Sequence, residues 1–272
     1  MGAVFSKRMR LDKYLCECGF GTRSEVRELI RSGAVFVQEK AASDPKLPIR
    51  MDETTGVCAD QITVQGQTAV FRGFSYYLYY KPAGLVCTAE DARGRSAYLQ
   101  FPRVPRHPLF CVGRLDLDTE GLLLLTNDGA LSHQLLSPSH HVQKTYYAEL
   151  DGPVTSEMKR CFLAGVDIGE KKPALPAKLS DTQLLSQKKT RMSEGVLFSD
   201  EQLPSAAALV TVCEGKYHQV KRMFRSQGRH VLYLKRISFG PLFLDESMKP
   251  GESRPLTKEE TDALRQSAGG SV

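Results

Sequence analysis

Residues 113–129 hold the side chains best placed to do chemistry. Arg114 and Asp116 lie two residues apart, so they project to the same face if the segment is extended. Four consecutive leucines, 122–125, follow and predict a buried strand that anchors the segment. A carboxylate held by rigid neighbours can act as a nucleophile, a general base or a metal ligand. The sequence therefore singles out Asp116.

Two further segments could complete a site with Asp116. In residues 143–150 the neighbouring Tyr146 and Tyr147 point to opposite faces of a predicted strand, so one can be core and the other can line a cleft. In residues 214–224 a strand turns into a basic helix, where His218 and Arg222 are spaced i, i+4. Separations of 30 to 105 residues mean that only a folded sheet can bring these groups together.

Positive charge is concentrated in one part of the chain. Residues 211–236 contain seven Lys or Arg and one acid, an excess of six that equals the net charge of all 272 residues. Such a concentration favours a polyanionic partner, of which nucleic acid is the commonest. A solvated helix face is the alternative.

The composition is that of an ordinary globular protein, with 41% hydrophobic and 25% charged residues. No apolar run approaches the roughly 20 residues of a membrane helix, and the N-terminal residues lack a signal-peptide core. We therefore expect a cytoplasmic protein. The seven cysteines have no CxxC pairing, so neither a disulfide framework nor a zinc site is indicated.

The N-terminal segment predicts two helices and a strand. Thr22 and Glu25 have the spacing of a capping box, and an apolar face ends at Gly33. Arg23, Arg27 and Arg31 form a basic stripe beside that face, suited to phosphates. Residues 10–37 resemble the small RNA-binding domain first known from ribosomal protein S-four, and the resemblance extends over about residues 9–70. Residues 41–60 are expected to form a loop, and 61–70 a hairpin across Gln65-Gly66.

The remainder is expected to form a second domain over residues 75–256. Strands are predicted at 76–80, 122–126, 144–150, 206–213 and 230–239, and helices at 130–136, 156–164 and 218–226. A short helix after a capping signal at Thr257 precedes an end expected to be disordered. Because strands dominate without regular strand–helix alternation, the fold class is α+β with a mixed or antiparallel sheet.

The string GRLDLDTEGLLLLTNDG resembles the catalytic motif of the RsuA/RluB/RluE/RluF family of ribosomal RNA pseudouridine synthases. The resemblance implies that Asp116 is the catalytic residue, that Tyr146 of Lys-Thr-Tyr lines the site, and that Lys221 contacts the aspartate. A Lys-Pro-x-Gly element at Lys81 supports the same assignment and is expected to face a groove. Candidate substrate or RNA contacts are Arg114, Lys81, Arg23, Arg27, Arg31, His218 and Arg222.

The implied reaction isomerises uridine to pseudouridine without redox change or energy input, so no cofactor and no metal are expected. It needs an ionised carboxylate, a cation beside it, and an aromatic ring to stack on the base. The implied partner is ribosomal RNA or a precursor subunit, with no obligate protein partner. The short chain and compact tail favour small-subunit (16S) RNA.

Three alternatives remain open. The first is a large-subunit (23S) target, and the second is an RNA-binding protein of the same fold that has lost catalysis. The third is a metal-dependent phosphodiesterase, because Asp116 and Asp118 share a face with Glu120 and Asp128 nearby. No histidine or further acidic cluster in the sequence completes such a metal site.

Overall fold

The computed structural model describes residues 7–51, 58–71, 73–102, 108–183, 192–193, 196–197 and 205–269. The chain divides into two compact units. The first comprises Met1–Ser75 with Arg103–Leu109, and the second comprises Tyr76–Pro102 with Phe110–Val272. The expected domain bounds, 9–70 and 75–256, stay predictions.

The first unit contains two helices and six short strands among its described residues. In chain order they are β1 (Lys7–Arg10), α1 (Leu11–Glu17), α2 (Arg23–Arg31), β2 (Val35–Val37), β3 (Lys40–Ala41), β4 (Pro48–Met51), β5 (Ile62–Val64) and β6 (Gln67–Thr68). The capping box of α2 is present, since Thr22 accepts from the Glu25 amide and Glu25 accepts from the Thr22 amide. Buried side chains of both helices and of β2, β4 and β5 form its core.

Two turns and one strand of this unit can be compared with the predictions from the sequence. The hairpin across Gln65-Gly66 is confirmed, with both residues at positive φ. Gln38 and Glu39 also adopt positive φ between β2 and β3, although neither is the glycine or asparagine that this two-residue turn favours. The loop expected over 41–60 is wrong in part, because it contains β4. That strand buries Ile49 and Met51 and pairs with β1.

The second unit contains the predicted strands and helices with bounds shifted by a few residues at most. Its strands are β7 (Tyr76–Lys81), β8 (Phe110–Cys111), β9 (Glu120–Thr126), β10 (Lys144–Leu150), β11 (Lys178–Thr182), β12 (Met192–Ser193), β13 (Val196–Leu197), β14 (Ala206–Val212), β15 (Val231–Phe239), β16 (Leu242–Phe243) and β17 (Ser253–Pro255). Its helices are α3 (Gly129–Leu136), α4 (Ser156–Ala164), α5 (Gln219–Ser226) and α6 (Lys258–Ser267), with 3-10 turns at Ala97–Gln100 and Pro138–His140. The predicted capping signal at Thr257 begins α6, whereas residues 270–272 lie outside the described residues.

The described part of this unit is built on one mixed sheet in the order β11-β14-β10-β15-β9-β7-β17, with β16 beside β15 and β8 beside β9. Its neighbours are antiparallel except β9 and β15, which run parallel and join at Lys235↔Glu120 and Arg236↔Gly121. Gly121 has φ +107, and a Cβ there would collide with the Arg236 carbonyl oxygen, so only glycine permits this approach. The α+β class with a mixed sheet is confirmed.

Helices α4 and α5 cover one face of the sheet. The Phe162 and Phe224 rings meet with centroids 5.1 Å apart, above buried residues of β10, β14 and β15. This packing fixes the start of α5 relative to β10, on which the site depends. Among the helices in the described ranges, none is long and apolar enough to cross a membrane.

Candidate functional site

Asp116 lies in the loop that enters β9, and the end of β7 holds this loop in place. The Lys81 ammonium donates to the carbonyl oxygens of Asp116 at 3.1 Å, Thr119 at 2.8 Å and Pro82 at 3.0 Å. The Gly84 amide donates to the Leu117 carbonyl at 2.7 Å. The Lys-Pro-x-Gly element therefore holds in place the backbone segment that carries the Asp116 side chain.

Lys81 does not face a groove as the sequence suggested, because its side chain is fully buried. Burial lowers the pKa of its ammonium to about 8, against the counteracting attraction of Cys87, Asp118 and Asp116. The reason for the burial is local, since three carbonyl oxygens converge where β7 ends and replace the water that the ammonium loses. The expected RNA contact at Lys81 is not supported by this position.

Asp116 lies in one wall of a cleft, and the turn into α5 forms the opposite wall. His218 takes the left-handed conformation, with φ 48 and ψ 35, at the residue before the helix. Its ring stacks on Tyr217 with centroids 3.8 Å apart. Gln219 ties the turn together, because its amide oxygen accepts from the Lys216 amide and its amide nitrogen donates to Glu214. A non-glycine residue held at positive φ is a strained element of the kind found at functional sites.

These walls bring a carboxylate and two basic groups together. Lys221 Nζ lies 3.6 Å from Asp116 Oδ2, and His218 Nε2 lies 3.6 Å from Asp116 Oδ1. Lys221 Nζ also lies 2.5 Å from Asp118 Oδ1, which makes Asp118 its closer partner. Side-chain exposure is 7% for Lys221 and 8% for Asp118 but 27% for Asp116, so the Lys221–Asp118 pair lies deeper than the Asp116 carboxylate.

Tyr146 completes the cleft. It is half-buried and lines the cleft with Asp116 and His218, whereas Tyr147 is buried on the other face and donates to Glu149 at 2.9 Å. The opposite orientation of the two tyrosines is therefore confirmed. The cleft is open to solvent, so a base turned out of its stack could enter it. A carboxylate beside an ammonium, an imidazole and an aromatic side chain can cleave and rebuild a bond at a sugar carbon.

The basic run of residues 211–236 is not one phosphate-binding face. Arg236 is buried and donates to the Leu122 carbonyl. Arg222 donates to Glu170 and to the carbonyls of Ile168 and Tyr217, so it braces α5 instead of being presented to RNA. Arg114, by contrast, is exposed and lines the cleft. The charge excess is thus divided between structural pairs and the site.

In the first unit, the basic stripe on α2 is only partly available for phosphates. Arg23 and Arg31 are exposed, but Arg27 Nε lies 3.2 Å from the buried Asp12 carboxylate, which also pairs with Arg10. Burial raises the pKa of Asp12, but hydrogen bonds from Arg10 and Arg27 outweigh it and hold the pKa below its usual value. Arg27 therefore stabilises the fold of this unit.

The acidic residues required by a metal-dependent alternative have other partners. Asp116 and Asp118 face the Lys221 ammonium. Glu120 accepts from Tyr233 at 2.9 Å, while Asp128 accepts from Tyr76 at 2.7 Å and caps α3. Within the described ranges, no group of three or more His, Cys, Asp or Glu is arranged to hold a metal ion.

Sequence reasoning missed two features of this site. Asp118 was considered only as a metal ligand, yet it is the nearest partner of Lys221, and its spacing of two residues from Asp116 is the signal that could have found it. His218 was expected to contact RNA, and it lies within 3.6 Å of Asp116.

Comparisons with known proteins agree with this geometry. Residues 75–226 match the RNA pseudouridylate synthase family, and residues 9–54 match the S4 domain. An uncharacterised RNA pseudouridine synthase of Bacillus subtilis is 39% identical, covering 95% of this chain and 99% of that protein. Ribosomal small subunit pseudouridine synthase A of Vibrio vulnificus is 37% identical over 94% and 99% of the two chains. A crystal structure of a pseudouridylate synthase has TM-score 0.60 and 34% identity, covering 94% of this chain and 99% of that one. This chain therefore belongs to the RNA pseudouridylate synthase family and carries an S4 domain on its N-terminal side.

Proposed function

We propose that this protein converts a uridine of small-subunit ribosomal RNA into pseudouridine, with Asp116 as the catalytic carboxylate. The observation that carries the proposal is the placement of Asp116 at an open cleft, with Lys221 and His218 each 3.6 Å from one of its oxygens. The nearby Lys221 ammonium favours the ionised carboxylate that nucleophilic or base chemistry requires.

The proposed isomerisation begins at the Asp116 carboxylate. Asp116 acts at the sugar as the bond between C1′ and uracil N1 breaks, and the base rotates within the cleft. C5 then bonds to C1′, the C5 proton is lost, and N1 gains a proton, so the product is an isomer of the substrate. We assign Tyr146 to stack on the unpaired base and Arg114 to contact the phosphate of the extruded nucleotide, because both side chains line the cleft.

The choice of small-subunit RNA rests on the Vibrio vulnificus relative, which is named for that subunit and aligns over almost its full length. The S4 domain supports an RNA partner, with Arg23 and Arg31 as its exposed phosphate contacts. Free ribosomal RNA and a precursor subunit are both candidate substrates, and the site of action would be the cytoplasm, where subunits assemble.

Mapping pseudouridine in ribosomal RNA tests the proposal. A strain lacking this protein should lose one modified uridine in 16S RNA, wild-type protein should restore it, and Asp116→Asn should not. Loss of a 23S position instead would move the target to the large subunit. An unchanged modification pattern in both RNAs would refute a ribosomal target. Purified protein assayed on free 16S RNA and on precursor particles then identifies the substrate form.

A further inference from the structure

The ammonium of Lys221 is bound more closely by Asp118 than by the carboxylate it is expected to activate. Nζ lies 2.5 Å from Asp118 Oδ1 and 3.6 Å from Asp116 Oδ2. The shorter distance is a charge-assisted hydrogen bond, whereas the longer one is an ion pair without a hydrogen bond. Asp118 and Lys221 are the two nearly buried members of the group.

This geometry has a chemical consequence for Asp116. A carboxylate oxygen in a contact pair with an ammonium is a weaker nucleophile and a weaker base, because the hydrogen bond stabilises its negative charge. At 3.6 Å the ammonium still attracts the negative charge, but it leaves the oxygen uncommitted. Something must hold the cation at that distance against the attraction of Asp116, and the Asp118 hydrogen bond does so.

We propose that Asp118 is a positioning residue that anchors Lys221 beside Asp116 without letting the two form a contact pair. The inference rests on the proposed function, because it concerns the reactivity of the same carboxylate. Asp118 itself lies deeper than Asp116 and acts through Lys221. Without its charge, the ammonium would turn toward Asp116 and bind it directly.

Other charged groups surround Asp116 and are left unchanged by the test. His218 faces its second oxygen, and Lys81 lies beneath its backbone. Arg114, Lys216 and Glu214 stand in the cleft wall. Because these groups are common to all variants, a change in pH dependence reports on Asp118 and Lys221.

The test compares Asp118→Asn, which keeps the shape and removes the charge, with Asp118→Glu, which keeps the charge. Tritium release from C5 of labelled RNA gives kcat and KM from pH 5 to 9. For Asp118→Asn we expect kcat to fall about tenfold or more with KM within about twofold. Its acid limb should move down by about half a pH unit or more, because a nearby negative charge is lost and a cation moves closer. Asp118→Glu should retain more activity and a wild-type acid limb.

A matched control is Asp181→Asn, which removes the carboxylate of a surface ion pair with Lys159 at 2.7 Å, away from the cleft. It should leave kcat, KM and the acid limb unchanged. If Asp118→Asn keeps wild-type kcat and acid limb, the positioning role is refuted. Equal losses in the Asn and Glu variants with an unmoved acid limb would also overturn it, because shape and not charge would then matter.

A double-mutant cycle read out by melting temperature tests the pairing of Asp118 with Lys221 when a single variant folds poorly. Lys221→Met alone removes the ammonium that lies between two carboxylates. The double variant Asp118→Asn/Lys221→Met also removes one of the two negative charges, so it should melt above Lys221→Met. Additive losses in melting temperature would overturn the pairing. Because the cycle does not depend on turnover, its result is distinguishable from failure of the proposed function, which would appear as wild-type protein inactive on every ribosomal RNA.

Discussion

Replacing Lys221 with Met removes the cation between Asp116 and Asp118 while keeping a side chain of similar length. The ammonium lies 3.6 Å from the first carboxylate and 2.5 Å from the second. Its low exposure of 7% makes a solvent-facing phosphate contact a poor description of its role. The substitution should therefore change catalysis and stability together.

The size of the catalytic effect follows from the Asp116–Lys221 distance. Unit charges 3.6 Å apart interact by about 4.6 kcal/mol at an effective dielectric constant of about 20, and by about 1.2 kcal/mol in water. At about 1.4 kcal/mol per pH unit, loss of the cation should move the acid limb of the rate–pH profile by about 1 to 3 units. The movement is upward, because the ionised carboxylate loses a favourable partner and a higher pH is needed to form it.

Stability should fall as well, because the variant removes the ammonium that pairs with the nearly buried Asp118. Breaking a buried ion pair costs on the order of 3 to 5 kcal/mol. For a protein of this size that corresponds to a decrease in melting temperature of roughly 6 to 20 °C.

Tritium release under single-turnover conditions from pH 5 to 9, with melting followed by circular dichroism, measures both effects. Lys221→Arg is the control, because it keeps the charge and should retain most of the activity. A Met variant with a wild-type acid limb and a wild-type melting temperature, impaired only in RNA affinity, would remove Lys221 from the catalytic group.

Asp116→Asn should abolish tritium release while RNA affinity in filter binding stays within a few fold, since shape is kept and the charge is lost. Tyr146→Phe keeps the aromatic ring and removes the hydroxyl, so a large loss of kcat in that variant would assign the hydroxyl a role in proton transfer. If kcat is near normal in Tyr146→Phe and falls only in Tyr146→Ala, the ring acts by stacking alone. Arg23→Gln combined with Arg31→Gln should reduce the slope of log affinity against log salt by about 0.7 to 0.9 per arginine, and an unchanged slope would show that α2 is not an RNA anchor. Burial lowers the pKa of Lys81 from 10.5 to about 8, so between these two pH values the unfolded chain binds more protons than the folded protein. The unfolding free energy of wild type, measured relative to that of Lys81→Met, should therefore rise as the pH increases from 8 to 10.5. Urea titrations at several pH values measure this rise.

The elements around the site could be located from the sequence because their patterns are local. The run of leucines that became β9 and the opposed tyrosines of β10 depend only on alternation along one strand. The capping box at Thr22 likewise needs only three residues of context. Local spacing therefore placed Asp116 correctly at the entrance of a buried strand.

Contacts between distant residues could not be predicted in the same way. Lys221 and Asp118 are 103 positions apart, so only the folded sheet shows that the ammonium binds Asp118 more closely than Asp116. Lys81 has the sequence character of a surface residue, and only the convergence of three carbonyls explains its burial. Arg236 and Arg27 were likewise counted as available cations, although the fold uses one in the core and the other to neutralise Asp12.

The parallel junction between β9 and β15 has a consequence for how this enzyme acquires activity during folding. Asp116 and Lys81 belong to the part of the sheet on one side of the junction, while Tyr146, His218 and Lys221 belong to the part on the other side. Residues 120–121 pair with residues 235–236, a separation of more than a hundred positions, so this is slow, long-range pairing of high contact order. Neither part alone contains a complete site, so a nascent chain remains inactive until β15 has been synthesised and docked. A side chain at position 121 would collide with the Arg236 backbone and block that docking. We therefore expect a substitution of Gly121 to slow the recovery of activity during refolding more than the recovery of the helical circular dichroism signal.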